Sequence, residues 1–219
     1  MEADFWLERW ECGQTGWDLT APHDDLTAHW HLVGARVGSD VFVPLCGASV
    51  DMVWLAGVGH TVIGNELSDA AVSEFFGRRG LDPEVSRVGH HTVHRAGRYE
   101  LWCGDFFELT SGPLASVSAV YDRASLVALP PSMRRGYAAH LTSILPDAAV
   151  VFLVSFEYDE AEMSGPPFSV TAEEIDDLYG DAFEIDPIVD THALDRNPDL
   201  AARGLRSLRE TVTILRRRS

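Results

Sequence analysis

The chain has 219 residues, 46 % hydrophobic and 23 % charged, enough for one domain with a substantial core and short for two. Its 34 Asp and Glu residues against 17 basic ones give a formal net charge of −17, which argues against a phosphate backbone, and so against nucleic acid, as a partner. All the basic residues are Arg, which removes Schiff-base and lysine-nucleophile chemistry, and no apolar stretch reaches the length of a membrane span.

The first ten residues carry Glu2, Asp4 and Glu8 instead of the basic-then-apolar layout of a secretory signal, so a cytoplasmic protein is expected. Residues 4–12 then read as a helix with Phe5, Trp6 and Trp10 on one face. A second short helix is expected over 24–33, with Asp24 and Asp25 at its positive end. Strands and helices alternate after that. Strands are expected at 41–45, 61–67, 99–103, 117–121 and 148–156, the third pairing with 92–94. Helices are expected at 50–58, 70–79, 132–145 and 171–179, the last with a Thr171/Glu174 capping-box pattern. Late, antiparallel strands are expected at 183–189 and 211–215. The Arg216, Arg217, Arg218 run reads as a solvated tail. This order implies right-handed βαβ crossovers, an α/β fold and a mostly parallel sheet, all in a single domain.

Cys12, Cys46 and Cys103 are odd in number and lack a C-x-x-C pair, so reduced thiols are expected, Cys103 as a buried one. His90, His91 and His94 have no carboxylate or thiol at ligand spacing and read as a mobile surface loop, with no metal site. A Ser-His-Asp hydrolase is disfavoured because no G-x-S-x-G elbow occurs.

Ligands of open α/β sheets bind beyond the carboxyl ends of the strands. That rule selects four loops. Pro44 to Ser49 contains Gly47, where backbone can approach a ligand closely, but no G-x-G-x-x-G and no phosphate loop. Glu66, about 20 residues after the glycine turn, is placed to accept hydrogen bonds from two ribose hydroxyls. In Gly104-Asp105-Phe106-Phe107, Asp105 suits an adenine amino group and Phe106 the ring, although an N-cap followed by core aromatics reads equally well. Asp122-Arg123 closes the set, and a local ion pair is its plainer reading.

Taken together and in this order, these loops resemble the thiopurine S-methyltransferase family, particularly its bacterial members. The carrying pieces are Phe5-Trp6-Leu7-Glu8-Arg9-Trp10, Val43-Pro44-Leu45-Cys46-Gly47, Gly64-Asn65-Glu66-Leu67-Ser68, Cys103-Gly104-Asp105-Phe106-Phe107, Tyr121-Asp122-Arg123-Ala124 and Gly165-Pro166-Pro167-Phe168. The resemblance implies a class I methyltransferase fold, Rossmann-like, with seven strands, helices on both faces and the last strand antiparallel. It implies S-adenosylmethionine as the methyl donor. Trp6, Trp10 and Trp17 would line the cofactor from a segment, residues 1–35, that covers the site. Leu45 and Gly47 would border the methionyl part, Glu66 the ribose, Asp105 and Phe106 the adenine end, and Arg123 the acceptor pocket. Two positions depart from the family pattern: Ala48 replaces a Lys, and Trp17-Asp18 replaces an aromatic followed by His.

The function so implied is methylation of a small-molecule thiol, thiopurine-like or another aromatic or heterocyclic thiol. Such transfer needs the acceptor atom held about 3–3.5 Å from the methyl carbon, aligned and dry. Arg123 would favour the thiolate, Asp122 would orient it, and Asp18 would take the proton of a less acidic thiol. The alternatives are another nucleophile (selenol, halide, thiocarboxylate, oxygen or nitrogen) or a non-catalytic nucleotide-binding α/β protein. A monomer is expected, with a weak dimer as the alternative, acting on small molecules without membrane or nucleic-acid partners.

Overall fold

The computed structural model describes residues 3–218. The chain divides into two compact units. One runs as far as Tyr121 and takes in Ile144–Pro146; the other comprises Asp122–Ser143 and the residues from Asp147 onward.

In the first unit, helix α1 (Ala3–Glu11) leads to α2 (Asp24–His29), which tightens into a 3₁₀ turn, Trp30–Val33, ended by Gly34 in the left-handed region. Strands β1 (Asp40–Val43) and β2 (Thr61–Glu66) flank α3 (Asp51–Gly57). Met52 and Leu55 of α3 are fully buried, as its period requires. Helix α4 (Asp69–Gly77) starts at Ser68, whose hydroxyl accepts from the Ala71 N–H. Three further strands follow: β3 (Glu84–Val88), β4 (His91–Ala96) and β5 (Tyr99–Cys103). β6 (Val117–Asp122) closes the order β3-β4-β5-β2-β1-β6. β5, β2, β1 and β6 are parallel, while β3 and β4 add an antiparallel hairpin at the β5 edge.

In the second unit, α5 (Pro131–Ile144) precedes β7 (Val150–Glu157), an apolar run buried from Val151 to Ser155. Helix α6 (Ala172–Tyr179), β8 (Phe183–His192), α7 (Pro198–Ala202) and β9 (Arg209–Arg217) complete the chain. β9 pairs antiparallel with β7 on one side and β8 on the other. Tyr158, Met163, Ala193, Leu200, Leu205 and Leu208 form a small separate core under α7.

Five expectations need correction. Nine strands occur among the described residues, not the seven that the resemblance implies: β4, expected at 92–94 beside the 99–103 strand, pairs with the unexpected β3 as a hairpin beyond those seven. His91 and His94 are buried in that hairpin and do not belong to a surface loop; only His90 is exposed. Cys46 is the buried cysteine, Cys103 being half-buried and Cys12 exposed. The capping box at α6 is half made: the Thr171 hydroxyl accepts from the Glu174 N–H, but the Glu174 carboxylate bonds Arg134 at 2.5 Å. The terminal arginines are tied down: Arg217 caps the Thr142 carbonyl and lies over Phe183, and Arg218 donates to the Gly180 carbonyl. No helix of the described residues is long and apolar enough to cross a membrane.

Candidate active site

The carboxyl ends of β1, β2 and β5 are locked together by their own loops. After β1 the chain enters Pro44-Leu45-Cys46-Gly47, with Leu45 at φ 43° and Gly47 at φ 53°. Leu45 and Ala124, which follows Arg123, are the two non-glycine residues with positive φ among those described. Each costs about 1–3 kcal/mol and persists only where neighbours over-determine it. At Leu45 those neighbours are on β2: the Cys46 N–H donates to the Asn65 carbonyl at 2.9 Å, and the Gly47 N–H donates to Glu66 Oε2 at 2.8 Å.

Glu66 ends β2 and is buried. Its second oxygen, Oε1, accepts from the Ser68 N–H at 2.8 Å. Burial pushes the carboxyl upward, while the Ser68 and Gly47 N–H groups hold it back. Each oxygen accepts a backbone N–H and retains acceptor capacity, so the carboxylate still suits a vicinal diol. Asn65, fully buried, ties β2 to β5 by donating from Nδ2 to the Trp102 and Gly104 carbonyls. Gly64 lets this happen in a tight space, since a Cβ there would stand 2.7 Å from Cys46 Sγ.

Asp105 is exposed, and its Oδ1 accepts from the Phe107 N–H at 2.9 Å, capping the short 3₁₀ turn Phe106–Glu108. Phe106 is a core side chain, whereas Phe107 is 42 % exposed. The exposed aromatic face of this loop therefore belongs to Phe107, which sequence reasoning passed over.

The N-terminal tryptophans form one cluster: Trp17 meets Trp6 and Trp10 edge-on at 5.3 and 5.9 Å. Trp10 is buried, its indole lying against Gly47. Asp18, expected as a proton acceptor, is paired with Arg78 at 2.5 Å, its side chain 5 % exposed. The hydrogen bond to Asp18 raises the Arg78 guanidinium further above its ordinary value. Thr15, Asp18, Leu19, Thr20, Val50, Arg78 and Arg79 line a cleft of about 350 Å³ there.

Asp122, the last residue of β6 and the first of the second unit, is fully buried. It accepts from the Tyr137 hydroxyl at 2.7 Å and the Leu126 N–H at 3.4 Å. Burial pushes its carboxyl up to about 6. Asp122 thus shapes the turn that carries half-buried Arg123. Sequence reasoning missed Arg134, an α5 residue 1 % exposed whose Nε donates to the Leu129 carbonyl and whose guanidinium faces Phe168. Burial raises Cys46 well above its ordinary value and Cys103 to about 11, so neither thiol is a nucleophile near neutrality.

A family model described as thiopurine S-methyltransferase matches residues 1–218. The thiopurine S-methyltransferase of Pseudomonas fluorescens strain Pf0-1 is 44 % identical over 216 residues, 99 % of this chain and 99 % of that protein. That of Methylococcus capsulatus is 44 % identical over 217 residues, 99 % and 98 % of the two chains. Among solved structures, a Burkholderia thailandensis 1,6-didemethyltoxoflavin-N1-methyltransferase with bound S-adenosylhomocysteine aligns at a TM-score of 0.68 and 16 % identity, covering 99 % of this chain and 87 % of that one. An Anabaena variabilis SAM-dependent methyltransferase aligns at 0.66 and 14 %, covering 99 % and 95 %. These two carry the class I methyltransferase fold and nothing finer. The sequence match reaches further, because it runs through every loop described above at 44 % identity along whole relatives, and by it the chain belongs to the thiopurine S-methyltransferase family.

Proposed function

We propose that this chain transfers a methyl group from S-adenosylmethionine to the sulfur of a small-molecule thiol, aromatic or heterocyclic and of the thiopurine kind. The observation that carries the reading is Glu66: a buried carboxylate at the end of β2 that fixes Gly47 and still has acceptor capacity for two hydroxyls. The family supports the sulfur acceptor, its relatives being named thiopurine S-methyltransferases. The family model's span of 1–218 supports one methyltransferase domain, and we read residues 1–35 as its cover, the Trp10 indole lying against Gly47 in support.

S-adenosylmethionine supplies a methyl already activated on a sulfonium, so the residues need only bind, orient and exclude water. Glu66 holds the ribose, Asp105 the adenine amino group, and Leu45 and Gly47 the methionyl part. Trp6, Trp10 and Trp17 keep that side dry. Arg123 supplies a cation that cannot be deprotonated near neutrality and so favours a thiolate acceptor. Asp122 orients Arg123 through the turn it anchors. Asp18, the candidate proton acceptor for a less acidic thiol, also fastens the cover through its pair with Arg78. We place the protein in the cytoplasm as a monomer without nucleic-acid partners, the net charge of −17 supporting the last point.

The test is S-adenosylhomocysteine release with a panel of thiols, selenols and phenols. Turnover confined to or fastest with aromatic thiols supports the reading. Donor binding without turnover on any acceptor would leave a nucleotide-binding protein.

A further inference from the structure

We infer that His91 is a positioning residue for the adenine end of the donor site, acting through the main chain of Asp105. The inference rests on the reading that Asp105 meets adenine. His91 opens β4, in the hairpin that lies outside the seven-stranded fold. The register Thr92↔Cys103 sets it beside the chain just past β5. Its side chain is 3 % exposed, and its Nε2 lies 3.0 Å from the Asp105 carbonyl oxygen. That distance is a hydrogen bond when Nε2 carries the proton. The ring meets Trp102 edge-on at 5.8 Å. It also occupies the space a Gly104 side chain would need, since a Cβ there would stand 2.6 Å from His91 Cδ2.

The loop is therefore gripped at successive carbonyls. Asn65 Nδ2 donates to the Gly104 carbonyl, and His91 Nε2 donates to that of Asp105. The Gly104 N–H is held by the Glu66 carbonyl at 2.8 Å. With both peptide planes fixed, the direction of the Asp105 side chain is fixed as well, because its Oδ1 is already spent on the Phe107 N–H. Glu66 and Asp105 are thus held in one rigid frame, and His91 is the part of that frame contributed by the added hairpin.

Three variants test this. His91→Phe fills the ring space without a donor, His91→Gln restores a donor, and Asp105→Ala removes the group being positioned. Loss of one neutral hydrogen bond should raise the dissociation constant for S-adenosylhomocysteine about three- to tenfold in His91→Phe. The KM for S-adenosylmethionine should rise with it, with kcat at saturating donor and the acceptor KM unchanged. His91→Gln should recover most of the loss. S-inosylhomocysteine, which lacks the adenine amino group, should lose less affinity than S-adenosylhomocysteine. A His91→Phe protein that loses thermal stability but binds S-adenosylhomocysteine normally, while Asp105→Ala binds it weakly, overturns the inference and leaves the Asp105 reading standing. Normal binding by Asp105→Ala overturns both.

Discussion

The indole of Trp10 occupies the space that a side chain on Gly47 would need: a Cβ at Gly47 would lie 2.8 Å from Trp10 Cζ2. Helix α1 is thereby seated on the glycine turn, and the turn must be glycine for two separate reasons, its φ of 53° and this contact. A double-mutant cycle separates them. Gly47→Ala alone should destabilise by about 2–3 kcal/mol, from the left-handed backbone and the overlap together. In a Trp10→Ala background the same change should cost about 1 kcal/mol, the backbone share alone. Equal costs in the two backgrounds, measured by urea unfolding, would mean that Trp10 does not rest on the turn.

The Asp18–Arg78 pair fastens the segment after α1 to the end of α4. Arg78 is 44 % exposed and also bonds Glu74, so the pair is screened and its contribution small. Asp18→Asn should speed hydrogen exchange in residues 5–20 by no more than about fivefold, matching a loss of ~1 kcal/mol or less. Raising the salt concentration should produce part of the same effect in the unaltered protein. Exchange in this segment that ignores both would show that the segment is held by its tryptophans alone.

Much of this was legible in the sequence where one signal dominates. The unbroken apolar run through Phe152 and Leu153 could only be a buried strand, and Thr171 ahead of Glu174 marked the start of α6. The place of Glu66 at the end of β2 was legible from the apolar run before it. β3 was not, since Glu84, Val85, Arg87 and Val88 are exposed and show no buried face to read. His91 was misread because its burial depends on Gly104 and Trp102, neither of which is near in sequence. Arg134 sits among polar neighbours on α5, and its burial depends on Glu174, forty positions away. Phe106 and Phe107 are adjacent, and only the turn made by Asp105 decides which one faces the core.

Asp122 gives a pH dependence whose sign is fixed by its burial. A carboxyl raised to about 6 in the folded protein favours folding most below the unfolded value, and this share is lost as pH rises through about 6. Raising an aspartate from its ordinary range to about 6 corresponds to about 3 kcal/mol. Asp122→Asn removes the buried charge but weakens the bond with Tyr137, at a cost of ~1 kcal/mol. The variant should therefore be more stable than the unaltered protein at about pH 8, by about 1–2 kcal/mol, and no more stable at about pH 4.5. Urea melts at the two pH values decide it, and a variant destabilised equally at both would show that Asp122 is held ionised at no cost.

In the proposed function Arg123 is the cation that favours the thiolate form of the acceptor. Arg123→Ala should lower kcat/KM for a thiol about ten- to a hundredfold, the range for losing one charge-assisted hydrogen bond. Donor affinity should change far less, and the pH–rate profile should move to higher pH because the bound thiol loses its neighbouring cation. Arg123→Lys should restore part of the rate, giving charge without the planar fork. Donor affinity and thermal stability falling together, with an unmoved profile, would reduce Arg123 to a loop support.

Whether the methyl group arrives on sulfur is decided by one product analysis. The protein is incubated with S-adenosylmethionine bearing an isotopically labelled methyl group and a heterocyclic thiol that also offers ring nitrogens. The product is then examined by NMR for carbon–sulfur against carbon–nitrogen attachment. Label on sulfur, with one S-adenosylhomocysteine formed per label transferred, is the predicted result. Label on nitrogen, or S-adenosylmethionine bound and left intact with every thiol supplied, would contradict it.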